Sequence, residues 1–387
     1  MNKRTILGQY YTPDAIAQLV VSKALSLEIS PNRVIELAAG RGHLLSALMR
    51  HSGSFSVFAV DIDESNIQYL DSTFTGVTTF HADATKPLDF LDAITFDLGL
   101  GNPPFLANNI VDSYTHKLLL DSFGLNYSIG SKTRSEYIFI AQYLNLIKPK
   151  GMLAIIVPET IISGVKAIDF RRSLTEKYNV IEVLELSANL FSNTEAKTYV
   201  LFIKNEMPQG NTIKLSNCNK NSVIESIDVG VDRTVLRMDY NYHFLNSYDR
   251  SNCNKVKLSD FATITRGKYT HKELRSSRRK YTHSTNFNIN HKRVHCKKND
   301  LDDIQYGDLI MCRVGTRVVG NVREYTGGNV VYSDCIYRIR FSRIDIKDKF
   351  MNYVKSEVGY NSIKAITRGV CSRYITKQDL ENFEFPV

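Results

Sequence analysis

Phe96-Asp97-Leu98-Gly99-Leu100-Gly101-Asn102-Pro103-Pro104-Phe105 joins an apolar run to two consecutive prolines. The run from Ile94 to Leu100 reads as a buried strand that ends at Gly101. Neither proline has an N–H to donate to a ladder or a helix, so the strand has to stop in a rigid loop. Asn102 precedes a proline and is pushed into an extended conformation, which lets its side-chain amide and the Pro103 carbonyl face one point. Phe105 adds a flat apolar face. Two acceptors beside a ring suit a planar aromatic amine, such as a nucleobase turned out of its stack. The plain alternative is a strand followed by a proline turn.

Upstream, Val34-Ile35-Glu36-Leu37-Ala38 reads as a short buried strand, followed by Ala39-Gly40-Arg41-Gly42 and a helical run through Leu44, Leu45 and Leu48. Strand, glycine turn and helix form the entrance of a nucleotide fold, in which Gly40 and Gly42 let the backbone turn tightly. Glu36 puts a carboxylate at this strand end and disfavours a phosphate there. The next strand, Phe55 to Val60, ends in Asp61-Ile62-Asp63, where Asp61 can accept from ribose hydroxyls and Asp63 can cap the helix that follows. A third strand, Val77 to His81, ends in Ala82-Asp83-Ala84, placing Asp83 to accept from an adenine amino group. Ligands bind at the carboxyl edge of an open parallel sheet, and Glu36, Asp61, Asp83 and the Asn102 loop all fall on that edge. The series favours a cleft for an adenosine that carries a positive charge and no phosphate. Near the start, Tyr11 and Thr12 precede the amphipathic run Ile16, Leu19, Val20 and Leu25. Thr12 reads as an N-cap with Pro13 in the first helical turn, and the pair would also suit a ligand's polar end.

With 387 residues the chain suits two domains. It has no signal-peptide core and no apolar run long enough to span a bilayer, so the expected location is the cytoplasm. Six cysteines lie far apart without a Cys-x-x-Cys pair, which fits reduced thiols rather than a disulfide framework or zinc ribbon. His291, His295 and Cys296 lack a fourth spaced ligand, so no metal is expected. The net charge of +9 is uneven: residues 1–209 carry 18 Lys+Arg against 21 Asp+Glu, whereas residues 210–387 carry 31 against 19. A near-neutral half followed by a strongly basic one suggests chemistry in the first and a grip on a polyanion in the second. The linker is expected at Met207-Pro208-Gln209-Gly210-Asn211.

These features together resemble the class I S-adenosylmethionine-dependent methyltransferases. The order Tyr-Tyr-Thr-Pro, Glu-x-x-x-Gly-x-Gly, acidic strand ends and Asn-Pro-Pro-Phe resembles the gamma-class, TaqI-like DNA adenine-N6 methyltransferases over nearly the whole chain. The resemblance implies a Rossmann-like α/β domain over residues 1–209 with a seven-stranded, mostly parallel sheet, and a smaller α+β DNA-recognition domain over residues 210–387. It implies S-adenosylmethionine as cofactor, held by Tyr11, Thr12, Glu36, Ala38, Gly40, Gly42, Asp61, Ile62 and Asp83. Asn102, Pro103, Pro104 and Phe105 become the catalytic loop, with Phe191 as a second ring on the target base. Leu106 to Lys132 reads as a loop over the cleft, and Ser135 to Leu146 as a helix.

In the second half, Asp260 to Gly267, Gly307 to Ile310, Arg313 to Thr316 and Ser372 to Thr376 resemble one target-recognition domain of a type I restriction specificity subunit. The segment Tyr269 to His283 interleaves Lys272, Arg275, Arg278, Arg279 and Lys280 with Tyr269 and Tyr281, as a phosphate-gripping arm would, and Arg313 joins them as a DNA contact. The alternative is a solvated charge run. The expected partner is double-stranded DNA, with a separately encoded restriction endonuclease as a possible second one, and the protein is expected to act as a monomer. A nuclease in the same chain is not expected, since seven residues precede Gly8. Three rivals stand beside adenine N6: cytosine N4, whose enzymes more often begin this loop with serine; protein glutamine N5, whose enzymes generally carry an N-terminal helical domain; and a non-catalytic DNA specificity protein, which needs no cofactor carboxylates.

Overall fold

The computed structural model of the protein describes residues 12–27, 30–186, 197–218, 224–248, 254–277, 279–290, 303–369 and 372–387, with no side chains described at 246–248. The chain divides into two compact units, Met1–Tyr240 and Asn241–Val387.

The first unit is built on helix α1 (Asp14–Leu27) and an alternation of strands and helices: β1 (Arg33–Leu37), α2 (His43–Met49), β2 (Ser56–Asp61), α3 (Glu64–Thr73), β3 (Val77–His81) and β4 (Phe96–Gly101). Then come α4 (Ser113–Phe123), α5 (Ser135–Leu146), β5 (Ile147–Pro158), α6 (Ile168–Lys177), β6 (Asn179–Leu186) and β7 (Thr198–Lys204). The sheet order is β3-β2-β1-β4-β5-β7-β6, parallel except for β7, which runs against both neighbours. Chain order reverses between β1 and β4, and a ligand crevice opens at such a switch point. Ile16, Val20, Leu44, Leu45 and Leu48 of α1 and α2 pack on Val34, Val57, Leu98, Leu100, Met152 and Ile156 of the sheet. Each such side chain contributes about 1.5 to 3 kcal/mol on burial, which explains why the central strands are almost uniformly apolar.

The expected boundary after residue 209 is not where the first unit ends. Two further strands, β8 (Thr212–Cys218) and β9 (Ile224–Gly230), extend the same sheet, β8 pairing in parallel with β6 and β9 closing antiparallel on β8. The proline–glycine segment is therefore a turn between strands of one sheet. Fully buried Arg171 on α6 then fastens the following turn of helix: its guanidinium donates to the carbonyls of Ile161, Gly164, Val235 and Leu236. Residues 210–240 carry four Lys+Arg and four Asp+Glu, so moving the boundary leaves the charge asymmetry intact.

The expected loop from Leu106 to Lys132 contains α4, capped by the Asp112 carboxylate on the Thr115 amide and ended by left-handed Gly124. Its buried face, Thr115, Leu118, Leu119, Ser122 and Phe123, has helical spacing.

The second unit is α+β. Strands Ala262–Arg266, Ile336–Phe341, Leu309–Cys312 and Val322–Glu324 form an antiparallel sheet in that order. Helices Ile344–Lys355 and Glu357–Ala365 supply Phe350 and Ile363 to its core beside Leu309, Met311 and Ile339. Among the described residues no helix is long and apolar enough to cross a membrane.

Candidate active site

The carboxyl ends of β1, β2, β3 and β4 surround a cavity of about 200 Å³. Its lining includes Thr12, Glu36, Ala38, Gly40, Asp61, Ile62, Asp83, Asn102 and Pro104, so strands far apart in sequence bring most of the expected residues to one place. Tyr11, Phe191 and Arg278 lie outside the described residues.

The glycine turn winds tightly, with Ala38, Gly40 and Gly42 all left-handed at φ of 55°, 56° and 68°. A Cβ on Gly42 would also lie 2.8 Å from Leu70 and Phe74 of the α3 region, so this position has neither the torsion nor the room for a side chain. Asp61 stitches the turn to β2. One of its carboxylate oxygens accepts from the Gly40 amide at 2.7 Å, and the other from the Asp63 amide at 2.8 Å and the Asn66 side chain at 3.1 Å. A buried carboxylate with three protein donors has little acceptor capacity left for a ribose, so its first task is to shape the turn. Asp63 caps α3 through the Ser65 amide, as expected. Asp83 holds an Asx turn, one oxygen accepting from the Thr85 amide and hydroxyl, which leaves its other oxygen without a hydrogen bond among the described residues.

Replacing Asp61 with alanine should weaken binding of the adenosine-type ligand by about 1 to 3 kcal/mol, the cost of unpairing a buried hydrogen-bonded group. Calorimetry that finds the affinity unchanged would show that ligand binding depends neither on the turn that Asp61 holds nor on a ribose contact to its carboxylate.

Glu36 is buried, and its Oε2 has no hydrogen-bond partner among the described residues. Burial, and then the nearby Asp61 carboxylate, push its carboxyl well above the usual range, while the Leu45 amide works the other way. An orphaned acid on a cavity wall is the partner a cationic ligand group requires.

On the opposite side, the Asn102 side-chain NH2 donates to the Thr12 hydroxyl at 2.9 Å. Thr12 therefore serves the Asn102 loop, and among the described residues its hydroxyl accepts from no helix amide, unlike the expected N-cap. The contact fixes which way round the amide stands, with its oxygen on the side away from Thr12. The Pro104 carbonyl accepts the Ser135 hydroxyl, while Pro103 keeps its carbonyl without a hydrogen bond among the described residues. Ser135 also accepts from the Leu106 amide at 2.9 Å and returns its own amide to the Leu106 carbonyl at 2.8 Å. Phe105, the expected ring on the target base, is half-buried against the core packed under α1 and α2 and is not among the residues that line this cavity.

Helix α5, recognised from its pattern alone, turns out to hold three loops of the site. Besides Ser135, the Gln142 amide donates to the carbonyls of Ala84 and Lys86, bracing the loop after Asp83, and the Tyr143 hydroxyl bridges β1 and β4. Phe139 of the same helix lines the cavity, as does His43 at the start of α2. Burial, and to a lesser extent Arg41, lower the His43 pKa against the opposing pull of Asp14.

In the second unit, Lys272 and Arg275 stand on the helix His271–Ser276, which Thr270 and Glu273 cap reciprocally. They are exposed, as are Arg279 and Lys280, and none of the four makes an ion pair among the described residues. Arg313 is more committed, its Nε donating to the Asp334 carbonyl at 2.6 Å.

Residues 1–304 match the family described as N-6 DNA Methylase. The type II methyltransferase M.BanIII of Aneurinibacillus aneurinilyticus is 23% identical over 343 residues, which cover 79% of this chain and 57% of that protein. M.HincII of Haemophilus influenzae is 22% identical over 228 residues, covering 59% and 43%. The chain spans about half the length of the curated relatives it matches. Among solved structures, the type IIG restriction endonuclease BpuSI shares the fold over 97% of this chain and 58% of its own, with a TM-score of 0.54 and 12% identity.

Proposed function

The chain belongs to the N-6 DNA methylase family, and we propose that it is a site-specific DNA methyltransferase that methylates the N6 of an adenine turned out of duplex DNA. The single observation behind this reading is the Asn102 amide, held by Thr12 on the wall of a cavity whose other walls carry Glu36, Asp61 and Asp83. S-adenosylmethionine, when bound, supplies a methyl group already activated by its sulfonium. The residues present fit it: Glu36 offers a buried acceptor to a cationic group, Asp83 an acceptor to an adenine amine, and the left-handed turn admits close approach of the backbone.

The adenine amino lone pair is delocalised into its ring and attacks poorly until the nitrogen pyramidalises. If the Asn102 amide oxygen and the Pro103 carbonyl each accept one N6–H, they hold the amine in the attacking orientation and stabilise positive charge as it develops on nitrogen. Proton loss can follow transfer, since the methylated ammonium is strongly acidic, and no base need be built into the loop. The exposed cations of the second unit supply the grip on the duplex. We read the protein as the modification enzyme of a cytoplasmic restriction-modification or related system, acting as a monomer, with a separately encoded endonuclease as its partner. Sequencing DNA from a methylation-free host that expresses the protein tests this directly. N6-methyladenine at one sequence motif is the expected result, and its absence from an expressed, folded protein would refute the reading.

The buried Glu36 gives a pH dependence of fixed sign. A carboxyl whose folded pKa lies above its unfolded value destabilises nothing below the unfolded value, and its cost grows as pH rises towards the folded one. The ligand-free protein should therefore lose stability above the ordinary glutamate range, and Glu36→Gln should remove that loss. Cofactor affinity should run the opposite way, rising with pH as Glu36 ionises, and should become flat and weak in Glu36→Gln. Thermal melts and calorimetry of both proteins from mildly acid to mildly alkaline pH check the two trends together.

A further inference from the structure

Tyr143 of α5 is fully buried, and its hydroxyl sits where β1 and β4 part. The last paired residues of that ladder are Glu36 and Leu100. The next amide in line, that of Leu37, donates to the Tyr143 hydroxyl at 2.7 Å, and the hydroxyl donates to the Leu100 carbonyl at 2.6 Å. Neighbouring strands ordinarily meet through direct N–H to carbonyl bonds about 2.9 Å long, so a hydroxyl placed between donor and acceptor holds the two backbones further apart. Strand β4 is shaped to admit it. A Cβ on Gly99 would lie 2.7 Å from the Tyr143 ring, and one on Gly101 would lie 2.7 Å from the hydroxyl oxygen. Glycines inside a central strand weaken it and mark a close approach, and here the approaching group is this phenol. Burial, and then Glu36, push the phenol's pKa upward, so the hydroxyl stays protonated and keeps donating.

The place is the switch point of the sheet. Beyond the hydroxyl on one side lie Glu36, Ala38 and the glycine turn, and on the other Gly101 and Asn102. Tyr143 does not line the cavity, so it acts through the two strand ends. Resting on the methyl-transfer reading above, we propose that Tyr143 is a positioning residue whose hydroxyl sets the spacing between the cofactor-holding end of β1 and the base-holding end of β4.

Tyr143→Phe removes only the hydroxyl and lets the two strand ends close. Single-turnover methyl transfer at saturating DNA and cofactor should fall by about 10- to 100-fold, the order expected when reacting groups are displaced by about 1 Å. The affinity for S-adenosylhomocysteine by calorimetry, and the far-UV circular dichroism spectrum, should stay close to wild type. Gly101→Ala, which displaces the hydroxyl without deleting it, should show the same split between rate and affinity. The inference is overturned if either folded variant transfers at the wild-type rate, or if affinity falls in step with rate. If neither variant folds, Tyr143 is a determinant of the fold rather than a positioning residue, and the inference is again overturned. A folded wild-type protein that methylates no adenine refutes the methyl-transfer reading itself, whereas an active wild type with unimpaired variants refutes only the role of Tyr143.

Discussion

Asn102→Ala should lower methyl transfer by about 100- to 1,000-fold, the size of loss seen when one preorganised group aimed at developing charge is removed. Cofactor affinity should stay nearly unchanged. Asn102 stands on the Thr12 side of the cavity, while the acids assigned to the cofactor stand at the ends of β1, β2 and β3. The substitution removes the acceptor proposed to orient the amine and leaves the Asp61 stitch and the orphaned Glu36 oxygen in place. A loss confined to the chemical step identifies an interaction made with the reacting amine. Rapid-quench measurement of the transfer step, set beside calorimetry with S-adenosylhomocysteine, separates the two quantities. Equal loss of both would sink the assignment of Asn102 to the base.

The second large effect concerns the grip on DNA. Changing Lys272, Arg275, Arg279 and Lys280 together to glutamine should make the log–log dependence of duplex affinity on salt shallower by about 0.9 for each phosphate that the variant no longer neutralises. Specific and unrelated duplexes should weaken alike, because a grip on phosphates positions the protein without reading sequence. The four side chains are exposed and make no ion pair among the described residues, so removing their charge breaks no salt bridge of the fold. Cofactor affinity should not move. A salt titration of full-length variant and wild type that gives parallel lines would assign the grip to other residues.

The strands were legible because a parallel sheet buries both faces and its strands read as short apolar runs. Val77 to His81 and the helix Ser135 to Leu146 fall where the pattern puts them. Strand β4 starts later than its apolar run because Ile94 is used in a turn, its amide bonded to the Leu91 carbonyl. Helix α4 escaped because two of its five buried positions are Thr115 and Ser122, which count as polar in a hydropathy reading although their spacing is helical. The domain boundary escaped for another reason. The alternation of Ile213 and Leu215 announces a strand, but nothing local tells which sheet a strand will join.

The acids of the site were readable because each closes a strand. Its braces were not, because Thr12 and Asn102, or Ser135 and the Pro104 carbonyl, meet only after folding. One signal was on view and unused: two glycines in the apolar strand Phe96 to Gly101 ask what large group lies against them, and the answer is Tyr143.

The continuation of the sheet to Gly230 governs where such a protein can be cut and rejoined. A chimera that exchanges everything after residue 209 would strip β8 from β6, baring a row of amides and carbonyls to any passing strand. It would also take from Arg171 two of the carbonyls it holds. A junction after Tyr240 keeps the sheet whole and passes on the second compact unit intact.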